Sequence, residues 1–230
     1  MRPMLSATAS GYNSLMPSTL NVSEVFRSIQ GEASRAGLPC AFVRLAGCNL
    51  RCRWCDTRYA WEGGRDMTLA AVLEQVREFA PRRVEVTGGE PLIQPGAAEL
   101  LTALCDEGYE TLLETNGSQD ISVVDPRVVR IVDFKCPSSG EADANCWSNV
   151  EQLTSRDEVK FVLADRADYT FSRAAIAQYA VEQRCAVLLS PVADRLAAAD
   201  LARWILDDNL DVRLSLQLHR IIWPDVERGV

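Results

Sequence analysis

Positive charge is in deficit in this 230-residue chain: 24 lysines and arginines face 32 aspartates and glutamates, leaving a formal charge of −8. A surface with that balance is not built to neutralise a phosphate backbone, so nucleic acid is not expected as a direct partner. No stretch is apolar for long enough to span a bilayer. The opening "MRPMLSATASGYNSLMPSTL" holds a single Arg2 and no continuous apolar segment of the secretory kind. The expectation is a soluble, cytoplasmic protein with no membrane partner. Histidine is nearly missing, His219 being the only one. There is no internal repeat and no low-complexity linker to divide the chain.

What is present is an alternation of β-rich and helical runs. Strand-like segments fall at 40–46 ("CAFVRLA"), 83–87, 109–115, 129–134, 158–164, 185–190 and 212–218 ("VRLSLQL"), and helical patterns at 68–80, 96–108, 169–183 and 197–208. Such an order predicts an α/β fold with a mainly parallel sheet and helices packed outside it. In parallel barrels the chemistry sits at the C-terminal ends of the strands, which here read "TGGE", "ETNG", "DFK" and "LSP". Residues 1–20 read as a flexible tail, with Met16 as an internal start, and 21–230 as one domain.

Eight cysteines in a chain without an export signal point to a reducing compartment, where clustered thiols hold metal more often than they form disulfides. Cys40, Cys105, Cys136, Cys146 and Cys185 are scattered, and the first and last of these lie in apolar runs where a buried, inert thiol is expected. Cys48, Cys52 and Cys55, in "GCNLRCRWCDTR", have C-x3-C-x2-C spacing. A structural zinc site wants four ligands, usually as two pairs; there is no second C-x2-C, and Cys40 or Cys136 would have to complete it. A 4Fe-4S cluster held by three thiolates instead leaves one iron open, and an open iron is a reaction site.

That spacing, with the aromatic Trp54 before the last cysteine and "TGGEP" at 87–91, resembles the radical S-adenosylmethionine (SAM) family, in which the open iron chelates SAM. The flanks "SIQGEASRAG", "FVRLAGCNLRCRWCDT", "VTGGEPLIQ", "ETNG", "DFKCPSSG" and "LSLQLHR" resemble, more narrowly, the 7-carboxy-7-deazaguanine synthase family, over about residues 22–220. The resemblance implies an incomplete (β/α)6 TIM-like barrel, typically in a homodimer. It also implies conversion of 6-carboxy-5,6,7,8-tetrahydropterin to 7-carboxy-7-deazaguanine with loss of ammonia, toward queuosine and other 7-deazapurines. In that family an external reductant such as flavodoxin supplies one electron, a 5′-deoxyadenosyl radical takes hydrogen from C6 of the pterin, and SAM is regenerated.

The same resemblance assigns residues. Ile29, Gln30, Gly31, Glu32, Arg44, Thr87 and His219 fall to the pterin substrate; Trp54, Cys55, Asp56, Gly89, Glu90, Lys135, Pro137, Ser138, Ser139 and Ser190 to SAM; Cys48, Cys52 and Cys55 to the cluster; and Thr57 to a magnesium ion. Chemistry supports several of these. The Gln30 amide and Glu32 carboxylate offer donor and acceptor groups to a guanidine-like edge. Arg44 is a cation in an apolar strand, costly unless paired, and either a substrate carboxylate held bidentately or an internal acid would pair it. Two glycines before Glu90 let backbone approach a ligand closely, and Glu90 is an acceptor for an ammonium. Lys135 at a strand end is otherwise a solvated lysine, and Thr57 after Asp56 is otherwise a turn residue.

The chain runs past His219 as "RIIWPDVERGV", whereas some family members use a C-terminal carboxylate at the substrate, and that contact is in question here. Two other classes share the features. A radical SAM activase that installs a glycyl radical on a partner protein would carry the same cluster motif, and a non-catalytic zinc-stabilised binding domain would use the same cysteines.

Overall fold

Strand alternation sorts the sheet residues into an apolar outside and a polar inside. In the computed structural model, which describes residues 19–230, β1 is Thr19–Ile29, β2 Pro39–Leu45, β3 Arg65–Thr68, β4 Arg83–Gly88, β5 Glu110–Thr115, β6 Val129–Phe134, β7 Glu158–Leu163, β8 Ala186–Pro191 and β9 Arg213–Leu214. They form one sheet in the order β3-β1-β2-β4-β5-β6-β7-β8-β9. Pairing is parallel from β2 through β9, while β1 pairs antiparallel with both β2 and β3. With β3 and β9 left as edges, the sheet curls without closing. Its parallel strands β2 and β4 to β8 are the six of an incomplete (β/α)6 barrel.

The outer face carries Ala41, Val43 and Leu45 from β2 and Val84 and Val86 from β4. These meet helices α1 (Leu69–Glu78) and α2 (Gly96–Asp106) through Val72, Val76, Leu100 and Leu104. Val132, Phe134, Val159, Phe161, Val187 and Leu189 meet α3 (Arg166–Tyr179) and α4 (Ala198–Asp207) through Tyr169, Ile176, Leu201 and Ile205. Helix starts follow their caps: the Thr68 hydroxyl accepts from Ala71 N, and the Asp165 carboxylate from Asp168 N. The crossovers into β6 and β7 contain short 3-10 turns and no α-helix. Trp147 fills the gap, stacking on Phe134 at 4.6 Å and on Tyr179 at 4.5 Å between ring centroids.

Several boundaries differ from the sequence reading. The expected strand at 212–218 is cut to Arg213–Leu214, because at the sheet edge only Leu188 and Leu189 lie opposite to pair with it. Its remainder leads into α5 (Leu218–Ile222), which carries His219. The helix expected over 169–183 begins three residues earlier, at the Asp165 cap, and ends at Ala180, whose φ of 49° is left-handed. Of the expected tail, residues 1–18 and the proposed start at Met16 lie outside the described residues. Thr19 and Leu20 belong to β1, with Leu20 fully buried. No described helix is long and apolar enough to cross a membrane.

The N-terminal end of the barrel is plugged. Leu112, Val129 and Ile131 pack inward against Ala33, and Arg35 pairs with Glu110 and Glu158 while Arg83 also pairs with Glu110. Among the described residues the interior therefore opens toward the C-terminal strand ends, where the cysteine loop lies.

Candidate active site

A single pocket at that end is lined by Cys48, Cys52 and Cys55 together with Gln30, Glu32, Arg44, Thr87, Lys135 and His219. The cysteine loop leaves β2 at Leu45 and folds back because Gly47, at φ 94°, donates its N–H to Ala60 O. The Gly88–Gly89 backbone presses against it. A Cβ on Gly88 would stand 2.1 Å from Leu45 O, and one on Gly89 would stand 2.1 Å from Gly47 O and 2.8 Å from Cys48 Cβ. Only glycine fits at either position.

The thiols are placed as ligands. Leu50 N donates to Cys48 Sγ at 3.4 Å, and Asn116 Nδ2 reaches the same sulfur at 3.9 Å. Burial pushes the free Cys52 thiol up to about 11, and the ammonium of Lys135 works against that rise. That ammonium is held by Asp133 Oδ2 at 2.9 Å. The other oxygen, Asp133 Oδ1, is buried without a hydrogen-bond partner among the described residues. No three His, Cys, Asp or Glu side chains among the described residues converge as a site for a single metal ion. Cys40 lies apart, packed on Phe26 and Phe42, and Cys136 is buried in the outer core with one side on the pocket wall. Three thiols on one loop, sulfur-directed N–H donors, a close glycine backbone and an unpartnered buried oxygen fit a three-thiolate cluster with a polar ligand beside it.

Below the cysteine loop the barrel interior is charged. Lys160, on β7 and 4% exposed, donates to Glu32 Oε2 at 2.8 Å and to Glu114 Oε1, and lies 3.7 Å from Asp133 Oδ2. Burial alone would lower its pKa, but those three carboxylates hold it well above the usual lysine value. Glu114 is the reverse case, since burial raises it but Lys160 keeps it below the usual range. Thr87 Oγ1 donates to Glu114 Oε2 at 3.4 Å. Glu85, two residues earlier on β4, accepts from Gln30 Nε2.

Arg44 lines the pocket, and the internal-acid alternative is realised for it: Nε donates to Glu24 Oε1 at 2.8 Å, with Phe26 and Tyr59 rings 5.7 and 5.9 Å from the guanidinium. Gln30 Oε1 accepts from Glu32 N at 3.2 Å, which fixes the amide across the loop after β1. The C-terminal segment covers this loop. Leu218 N donates to Gly31 O at 2.9 Å, and Gln217 Nε2 bridges Glu32 Oε1 at 3.0 Å and Asp56 Oδ2 at 3.1 Å. Val230 lines the same pocket, so the longer ending returns to the site.

Most residues singled out from the sequence meet here: Ile29, Gly31, Trp54, Asp56, Thr57, Gly89 and Ser139 also line the pocket. Thr57 Oγ1 donates to Asp56 Oδ1 at 2.9 Å, and that hydroxyl with Lys160, His219 and Arg44 outweighs burial to hold the Asp56 carboxyl low. Four residues stand behind the wall. Glu90 is fully buried and its oxygens accept from Leu92 N, Thr115 Oγ1 and Asn116 N, so it ties the "TGGE" turn to "ETNG". Ser138 is bound to Asp168 by its N–H and its hydroxyl, Pro137 opens the same 3-10 turn, and Ser190 is buried on β8.

Sequence reasoning passed over Glu85, Glu114, Asp133, Lys160 and Gln217. For the first four the signal was present: each is a charge inside an apolar parallel strand, the feature that picked out Arg44.

Comparison with known proteins agrees with this geometry. Residues 43–131 match the family model described as the radical SAM superfamily. A 7-carboxy-7-deazaguanine synthase of Chlorobaculum tepidum is 49% identical over 92% of this chain and 97% of its own length. One of Koribacter versatilis is 43% identical over 92% of this chain and the whole of its own. The crystal structure of QueE from Escherichia coli superposes with a TM-score of 0.71, at 23% identity, over 87% of this chain and 95% of that one, which speaks for the fold.

Proposed function

The chain belongs to the 7-carboxy-7-deazaguanine synthase family of radical SAM enzymes, and from that premise we infer that it converts 6-carboxy-5,6,7,8-tetrahydropterin to 7-carboxy-7-deazaguanine with loss of ammonia. The observation that carries this reading is the convergence, in one pocket, of the C-x3-C-x2-C thiols with a charged barrel interior and the "QGE" loop. A protein-activating enzyme would need a mouth wide enough for a polypeptide, whereas the C-terminal segment here closes over the loop through Gln217 and Leu218.

Cys48, Cys52 and Cys55 would hold the cluster, and Lys135, Gly89, Trp54, Asp56 and Ser139, which line the same pocket, would receive SAM. When bound, cluster and SAM together supply the radical that removes hydrogen from C6 of the pterin. The chain's own residues bind and orient. Glu32 and Glu114 accept from the ring's N–H groups, Gln30 offers an amide fixed in orientation, and Thr87 steadies Glu114. Arg44, already bound at Nε, turns its remaining donors to the substrate carboxylate. Glu90, Ser138, Pro137 and Ser190 support the wall rather than touch the ligand.

Magnesium belongs to the same proposal. Thr57 and Asp56 bring hard oxygen donors to the pocket, and magnesium favours such ligands while keeping several sites for substrate oxygens and water. The one-electron donor is proposed to be an acidic protein such as flavodoxin, because Arg51, Arg53 and Arg58 surround the cysteine loop of a chain whose net charge is −8. All eight cysteines are free, which supports a reducing, cytoplasmic setting. A homodimer is carried over from the family resemblance. Anaerobic incubation of the iron-loaded protein with reductant, SAM and carboxytetrahydropterin tests the reading. The deazapurine is the expected product, and zinc in place of iron and sulfide would exclude it.

A further inference from the structure

Glu85 has no task in the functional reading above, yet it is 2% exposed and lines the pocket floor on β4. Its Oε2 accepts from Gln30 Nε2. The groups around it are Cys40 from β2, Glu32 from the loop after β1, Glu114 from β5 and Lys160 from β7. Nearby cations are already engaged: Lys160 by Glu32, Glu114 and Asp133, Arg44 by Glu24, and Lys135 by Asp133.

A fourth carboxylate with no cation of its own is too costly to bury ionised, so it keeps its proton. Burial, then the Glu114 charge, push its carboxyl up to about 8, against the pull of Lys160. Among its neighbours Cys40 and Lys160 are pushed up and Glu114 is held low, so none of these three changes charge near neutrality. At neutral pH Glu85 therefore presents an O–H donor among carboxylates that can only accept. The pyrimidine edge of a pterin alternates N–H donors with carbonyl and ring-nitrogen acceptors, and Glu32 and Glu114 serve only the donors.

We propose that Glu85 is a specificity-determining residue for the substrate ring, its carboxylic acid donating to an acceptor atom on the pyrimidine edge. This rests on the pterin reading of the pocket. The test is equilibrium binding of carboxytetrahydropterin to the anaerobic, cluster- and SAM-loaded protein without reductant, from neutral pH to about pH 9, for wild type, Glu85→Gln and Glu85→Ala. Wild-type affinity is expected to fall about tenfold over that range, as one hydrogen bond is lost. The amide of Glu85→Gln keeps its donor, so the ratio of its dissociation constant to that of wild type should fall by about the same factor. Ionisation of the substrate itself is common to both proteins and cancels in the ratio. Glu85→Ala should bind about tenfold more weakly at neutral pH; if it does not fold, the near-isosteric Gln variant carries the test. A ratio independent of pH overturns the role of Glu85, and so does unchanged affinity of the Ala variant at neutral pH. Failure of the wild type to form the deazapurine in a parallel assay overturns the functional reading instead.

Discussion

Gly31 and His219 are in such close contact that a Cβ added at residue 31 would stand 2.3 Å from the imidazole Nδ1 and 3.2 Å from the His219 backbone nitrogen. The loop after β1 and the C-terminal helix can meet only because residue 31 has no side chain. Gly31→Ala is expected to push α5 off the loop and raise KM for carboxytetrahydropterin roughly tenfold, the loss of about one good contact. Iron content and reductive SAM cleavage should stay as they are. Steady-state kinetics check this, and an unchanged KM would show that α5 does not touch the substrate.

Lys160 is the cation around which the interior is assembled. Lys160→Met leaves Glu32, Glu114 and Asp133 without their shared partner, and breaking a buried pair in this way costs about 3–5 kcal/mol. Glu114 is held low by Lys160 in the folded wild type. The stability this contributes is present above the unfolded glutamate pKa of about 4.3 and is lost as pH falls through the lower folded value. The gap between wild type and variant, measured by anaerobic urea unfolding, should therefore narrow as pH drops below about 4.3. A gap that widens with acid would mean that Lys160 is not paired as described.

The cysteines separate by position. Alanine at Cys48, Cys52 or Cys55 should abolish the iron–sulfur absorption, whereas alanine at Cys105 or Cys185, each packed in an apolar core on the outer face, should leave it. Iron and sulfide analysis after anaerobic reconstitution decides between them. A fourth essential cysteine at Cys40 or Cys136 would remove the open iron.

Thr57 tests the magnesium proposal. Its hydroxyl donates to Asp56 Oδ1 at 2.9 Å, a bond with which a magnesium ion would compete. Thr57→Ala should preserve the cluster and SAM cleavage, slow deazapurine formation and blunt its stimulation by magnesium. Full product formation with undiminished magnesium dependence would make Thr57 a turn residue only.

Much of the site was legible in the sequence because its motifs are contiguous. "GCNLRCRWCDT" and "TGGE" are loops whose glycines and cysteines must be near one another wherever the strands lead, and the six parallel strands announced themselves by apolar runs. The interior was less legible. The pocket-lining acids Glu85, Glu114 and Asp133 come from three different strands, and only the curl of the sheet brings them around Lys160 on a fourth. Glu90 lies in a motif at the pocket, but its bonds to Thr115 Oγ1 and Asn116 N, from another strand end, are not legible in the sequence. The edge strand β3 mixes polar and apolar residues because only its β1 flank is paired. The shortness of β9 depends on where β8 offers partners, which no local pattern encodes.

Carboxytetrahydropterin deuterated at C6, incubated anaerobically with reductant, magnesium and a substoichiometric amount of SAM, tests most directly whether this pocket brings the pterin to the 5′ carbon of SAM. Mass spectrometry should find more 7-carboxy-7-deazaguanine than SAM added, with deuterium carried into the 5′ carbon of recovered SAM. Consumption of SAM to 5′-deoxyadenosine without deazapurine, and with no deuterium in the nucleoside, would contradict it.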